Sequence, residues 1–151
     1  VRYILDTNVM VMFVVGTTDE RMIDTHKRVA NRFVRKNYKQ LMSIIEGPEN
    51  LASTSNILTE VSNLLRQTDA LKREALTNTL GKIVNAIPEI FIQSDTVVND
   101  PHFFQLGLTD AIMLKLQADD YHILSVDGPL CFACATKGLR YTNLTPLFAD
   151  K

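Results

Sequence analysis

The sequence predicts an α/β protein, a three-layer α/β/α sandwich around a mostly parallel central sheet. Three observations carry this. Short apolar runs recur along the chain: "YIL", "LAST", "IFI", "HILSV" and "RYTNL". Helix-length segments separate them, some with an apolar stripe and some with cap signals. Two of the runs, "YIL" and "HILSV", end directly in an aspartate. Strands that alternate with helices imply parallel pairing and a sheet covered on both faces. No repeat, low-complexity tract or Pro/Gly/Ser linker interrupts the pattern, so a single domain over residues 1–151 is expected.

In chain order, residues 2–5 read as a short buried strand, after which Asp6, Thr7 and Asn8 interrupt an apolar run that resumes through Val15. A polar helix is expected over 20–37 and another near 39–46. "EGPEN" is a loop, and "LAST" a short strand. Helices are expected over 57–66 and 72–86, the first carrying an Ile57, Leu58, Val61, Leu64 and Leu65 stripe. "IFI", at 90–92, is a strand. Asp100 caps a helix that has Pro101 at its first position. Gly107 breaks that helix, and a second runs from about 108 to 118. "HILSV" is a buried strand, "LCFACATKG" a short helix closed by Gly138, and "RYTNL" the last strand.

Composition narrows the function. With 46% hydrophobic and 22% charged residues, the chain is ordinary for a globular domain. Its net charge of −1 excludes a polycation, so nucleic-acid contact must come from a local patch. The longest apolar run, Val9 to Val15, is too short to span a membrane. It lacks the basic flank and small-residue cleavage site of a signal peptide. Two cysteines, Cys131 and Cys134, are too few for a disulfide framework and read as small core residues. A reducing cytoplasm is the expected location.

Four acids stand out. Asp6 and Asp127 each follow an apolar strand, and ligands of open α/β sheets bind outside the carboxyl ends of strands. Asp110 lies in the first turn of "LGLTDAIMLKLQA", whose apolar residues surround the helix. Glu60 flanks the apolar stripe of "SNILTEVSNLLRQ". Taken singly, each also reads as a turn, cap or surface residue. Taken together, clustered carboxylates repel unless a hard cation neutralises them, and Mg²⁺ prefers a few carboxylates, several waters and a phosphate. The three histidines, His26, His102 and His122, are scattered and form no zinc spacing. An oxygen-only site for Mg²⁺ or Mn²⁺ is expected.

"ILDTNVM", "LTEVSNLL", "GLTDAIMLKLQ" and "HILSVDGPL" resemble the PIN-domain family in order and spacing. The resemblance covers most of the chain. It implies a metal-dependent endoribonuclease whose four acids are Asp6, Glu60, Asp110 and Asp127, with Asn8 and Ser125 as polar partners. Asp6, Asp110 and Asp127 would hold the principal Mg²⁺ or Mn²⁺. Glu60 would act through water, at a second ion, or on the attacking water. Water would attack phosphorus in line and leave a 5′-phosphate and a 3′-hydroxyl. The chain also resembles the small VapC-type toxins of toxin–antitoxin pairs, although its stretch before Glu60 is longer and more basic. An antitoxin protein and a second copy of the chain are then candidate partners beside RNA.

That basic stretch, residues 21–39, holds seven of the 16 lysines and arginines. On one continuous helix, Arg21, Arg28, Arg32, Arg35 and Lys39 would share a narrow face. Arg28, Arg32, Arg35 and Lys39 could hold RNA phosphates; a solvated helix face is the simpler account of them. Two other functions compete. A non-catalytic module of the same fold would bind RNA or protein. A haloacid-dehalogenase-like phosphatase would need an Asp two residues after Asp6, where this chain has Asn8.

Overall fold

The computed structural model describes residues 1–149; residues 150 and 151, part of the expected single domain, lie outside the described residues. Strands β1 (Arg2–Leu5), β2 (Leu51–Thr54), β3 (Glu89–Ile90), β4 (Tyr121–Ser125) and β5 (Arg140–Asn143) form one sheet. Its order is β3-β2-β1-β4-β5, and every pairing is parallel. The pairs Tyr3 with Leu51 and Ile4 with Ile123 set β1 between its two neighbours.

The helices are α1 (Thr7–Thr18), α2 (Arg35–Ile45), α3 (Ser55–Leu65), α4 (Ala70–Ala86), α5 (Pro101–Leu106), α6 (Leu108–Met113), α7 (Gly128–Lys137) and α8 (Thr145–Ala149). Crossovers between parallel strands are right-handed. The connections that move from β1 to β2 to β3 therefore lie on one face. Those that enter β4 and go on to β5 lie on the other. The packing agrees: α1 touches α2, α3 and α4, whereas α5 touches α6 and α7. The result is the expected three-layer sandwich.

Helix α1 is its centre. Every residue from Val9 to Gly16 is buried, so the helix has no polar face and no period to betray it. The sequence pattern does not predict it. An apolar run without polar punctuation does not distinguish a buried helix from other buried chain.

The expected helix over 20–37 is the main correction. A 3₁₀ turn covers Glu20–Asp24, turns follow, and α2 begins only at Arg35. Two side chains explain the break. His26, 3% exposed, accepts from the Arg28 N–H at Nδ1 (3.2 Å), and its Nε2 lies 3.1 Å from the Leu65 carbonyl oxygen. Asn37 Oδ1 accepts from the Val34 N–H (2.9 Å), which starts α2 afresh from an extended Val34. Side-chain bonds to nearby backbone compete with helix in this way. The helix expected near 39–46 is the second half of α2.

Smaller differences are at ends. The strand expected at 90–92 is the two-residue edge strand β3, and α6 stops at Met113 because its last turns tighten to i→i+3 bonds at Lys115 and Leu116. Gly138 closes α7 as expected, with φ 72°, and Leu139 N–H returns to the Cys134 carbonyl (2.9 Å); this is the left-handed closure that glycine allows. Cys131 and Cys134 are free and buried. Burial pushes the Cys134 thiol up to about 12. Among the described residues, no helix is long and apolar enough to cross a membrane.

Candidate metal centre

Three strands pass almost directly into helices, and the handover residue caps each one. Asp6 Oδ1 accepts from the Val9 N–H (3.0 Å), Thr54 Oγ1 from Ile57 (3.2 Å) and Asp127 Oδ1 from Leu130 (3.0 Å). The bland cap reading of Asp6 and Asp127 is therefore true as well. Yet β1 and β4 are neighbours, and the chain leaves them in opposite directions across the sheet. Their carboxyl ends flank the crevice where α/β proteins bind ligands.

Asp6 is only 5% exposed. Its Oδ2 accepts from the Ser125 hydroxyl and from the Val126 N–H (3.2 Å). Ser125 in turn accepts from the Asp127 N–H (2.9 Å), so one buried hydroxyl links both strand-end acids. Burial pushes the Asp6 carboxyl up; the bonds from Ser125, Val9 and Val126 work against it, and the Asp127 charge adds to it.

Gly107, at φ 89°, turns the chain between α5 and α6 and sets Asp110 in the first turn of α6. Burial, then the charges of Asp127, Asp6 and Glu60 in that order, push Asp110 up to about 7. Glu60 is exposed on α3, and the Thr109 hydroxyl donates to its Oε2 across the helix gap. All four acids and Asn8 line one cleft of about 260 Å³, walled by Leu64, Leu106, Leu108 and Leu130. Ser125 lies behind it.

The donor set suits a hard cation. It is all oxygen, it carries like charge, and each carboxylate raises the cost of ionising Asp110. Among the described residues, no three His, Cys, Asp or Glu side chains form a ready-made metal cage. Mg²⁺ commonly keeps several waters and needs only a few carboxylates.

The basic candidates do not form the expected row, because the continuous helix that would align them does not exist. Arg28 donates to Gln67 (2.6 Å), and Arg35 pairs with Asp24 through Nε (2.9 Å) and Nη2. Lys39 is exposed on α2. Arg32 opens into a hollow with Phe33, Asn37, Val126, Thr145 and Phe148. That hollow includes Val126, the chain neighbour of Asp127. Sequence reasoning missed Thr109. Its bond to Glu60 spans 49 positions and leaves no local signal.

Fold and site together define a class: an α/β sandwich with an acidic cleft at the switch point of a parallel sheet. No family model, curated protein or solved structure matches the chain.

Proposed function

We propose that the protein is a PIN-type endoribonuclease that uses Mg²⁺ or Mn²⁺ to hydrolyse RNA phosphodiester bonds. One observation carries the reading: Asp6, Glu60, Asp110 and Asp127, from four separate elements, line a single cleft. These are the positions that the motif resemblance picks out.

Asp6, Asp110 and Asp127 would hold the principal ion, directly or through water. Glu60 would bind through water, at a second ion, or on the attacking water. A bound ion would polarise phosphoryl oxygen, activate water and stabilise the leaving oxygen. The chain's own groups prepare the site. Ser125 and two backbone N–H groups fix Asp6. Thr109 holds Glu60 against α6. Asp110, at about 7, carries a proton part of the time at neutral pH and must release it to serve as a ligand. In-line attack leaving a 5′-phosphate and a 3′-hydroxyl follows from the resemblance.

The finer reading, a cytoplasmic VapC-type toxin held by an antitoxin, rests on the same resemblance. A small overlapping antitoxin-like frame beside the gene is the observation that tests it. The phosphatase reading is weakened by Asn8, which lines the cleft where that chemistry needs an acid.

Incubation with single-stranded RNA tests the nuclease. Cleavage should require Mg²⁺ or Mn²⁺ and stop in EDTA. Asp6→Asn and Asp110→Asn should each lower the rate about 10²–10⁴-fold, the loss of several kcal/mol of transition-state stabilisation. Glu60→Gln should be strongly impaired. Full metal-dependent cleavage by Asp6→Asn would sink the assignment. RNA binding without any cleavage would leave a non-catalytic module.

A further inference from the structure

Of three exposed phenylalanines, Phe91, Phe104 and Phe132, two line hollows that open onto the acidic cleft. Phe91 is 77% exposed and Phe132 is 76% exposed. Phe91 directly follows β3 and lines a hollow with Ser55, Asn56 and Thr59. That hollow runs into the acidic cleft, since Glu60 and Thr109 line both. Phe132 lies on α7 and lines a groove with His102, Gln105 and Thr136, which meets the cleft at Leu106. In the sheet, β3 and β4 lie on opposite sides of β1. The two hollows reach the cleft at different residues, that of Phe91 at Glu60 and Thr109 and that of Phe132 at Leu106.

We infer that Phe91 and Phe132 are base-stacking platforms for a single-stranded RNA lying across the acidic cleft, an inference that rests on the nuclease reading. Every nucleobase has a π-face, so an exposed ring receives any base with little sequence preference. A duplex cannot use such rings, because its bases are already stacked. The polar groups beside each ring, Ser55, Asn56 and Thr59 or His102, Gln105 and Thr136, can bond a base edge or a sugar hydroxyl. Two ammonium groups stand next to that groove: Asp100 meets Lys137 at 3.2 Å and Lys115 at 3.5 Å, and its other oxygen lies 3.1 Å from His102 of the Phe132 groove. They can meet a phosphate of the strand. A protein partner favours one contiguous apolar patch. Here the cleft that both hollows meet is lined by four carboxylates.

The test compares wild type with Phe91→Ala, Phe132→Ala, the double variant, Phe91→Tyr and Phe132→Tyr. Cleavage of a labelled single-stranded RNA in Mn²⁺ gives kcat and KM. Quenching of 2-aminopurine placed either side of the cleavage position reports stacking in EDTA. Each alanine variant should raise KM roughly 5- to 100-fold and abolish quenching on one side of the scissile bond. The tyrosine variants, which keep the ring, should behave as wild type. All should melt with wild type, because both positions are exposed. If wild type cleaves but the alanine variants keep their KM and quenching, the platforms are wrong and the nuclease reading stands. Cleavage of duplex RNA as fast as single strands would overturn the platforms in the same way. If wild type neither binds nor cleaves RNA, both readings fall.

Discussion

Asp110 is where the site's electrostatics meet folding. Its ordinary carboxyl value of 3.8 rises to about 7 in the folded protein, through burial and three like charges. The folded state thus keeps a proton that the unfolded chain gives up earlier. Stability from this group is complete below 3.8 and is lost as pH rises through about 7. Asp110→Asn deletes the charge and keeps the shape. In EDTA, the variant should melt higher than wild type at pH 7.5, and the gap should close as pH falls towards 4. Each kcal/mol of relieved repulsion is worth about 2–4 °C for a chain of this size. Thermal melts across that pH range check it. A variant that melts lower throughout would make Asp110 a simple helix-start anion.

Among the elements, α1 packs so closely that its one glycine is fixed by a neighbour. A Cβ on Gly16 would sit 2.3 Å from Tyr38 Cδ1, and the Tyr38 hydroxyl is itself bonded to Thr17 Oγ1 at 3.2 Å. Alanine normally gains up to about 1 kcal/mol over glycine inside a helix. Overpacking costs about 1–3 kcal/mol, so the clash decides the sign. Gly16→Ala should lower the melting temperature by several degrees, and a rise would mean that α2 yields easily. The turns before α2 make a second claim. Arg32 opens into a hollow beside Val126, whereas Asp24 already neutralises Arg35. Arg32→Gln should flatten the salt dependence of RNA binding by about 0.7–0.9 in log–log slope, one phosphate contact. Arg35→Gln should change it less. Equal slopes for the two variants would return Arg32 to a solvated surface.

For the whole molecule, metal binding and folding are one equilibrium. Four acids from α3, α6 and the ends of β1 and β4 meet only in the native state. An ion that binds there and not to the unfolded chain stabilises by mass action, about 2.7 kcal/mol at a hundred times its dissociation constant. Wild type should therefore melt several degrees higher as Mn²⁺ is titrated in, and Asp110→Asn should lose most of that gain. Four unrelated surface acids would give little response in either protein.

Local patterning along the chain is enough to establish the strand–helix alternation, the parallel sheet, the Asp100 helix start, the Gly138 helix stop and the four acids with their strand-end and helix contexts. Period, cap chemistry and turn residues act within a few positions of themselves. That α1 is a helix emerges only from packing in three dimensions, because a segment buried on every side shows no period. Packing also breaks the expected 20–37 helix, because His26 and Asn37 bond to local backbone once His26 is buried against Leu65. The Thr109–Glu60 and Ser125–Asp6 bonds come from the fold as well, at separations of 49 and 119 positions. No local rule reaches that far. The convergence of the acids belongs to the sheet order, which places β1 beside β4 and so brings opposite ends of the chain to one edge.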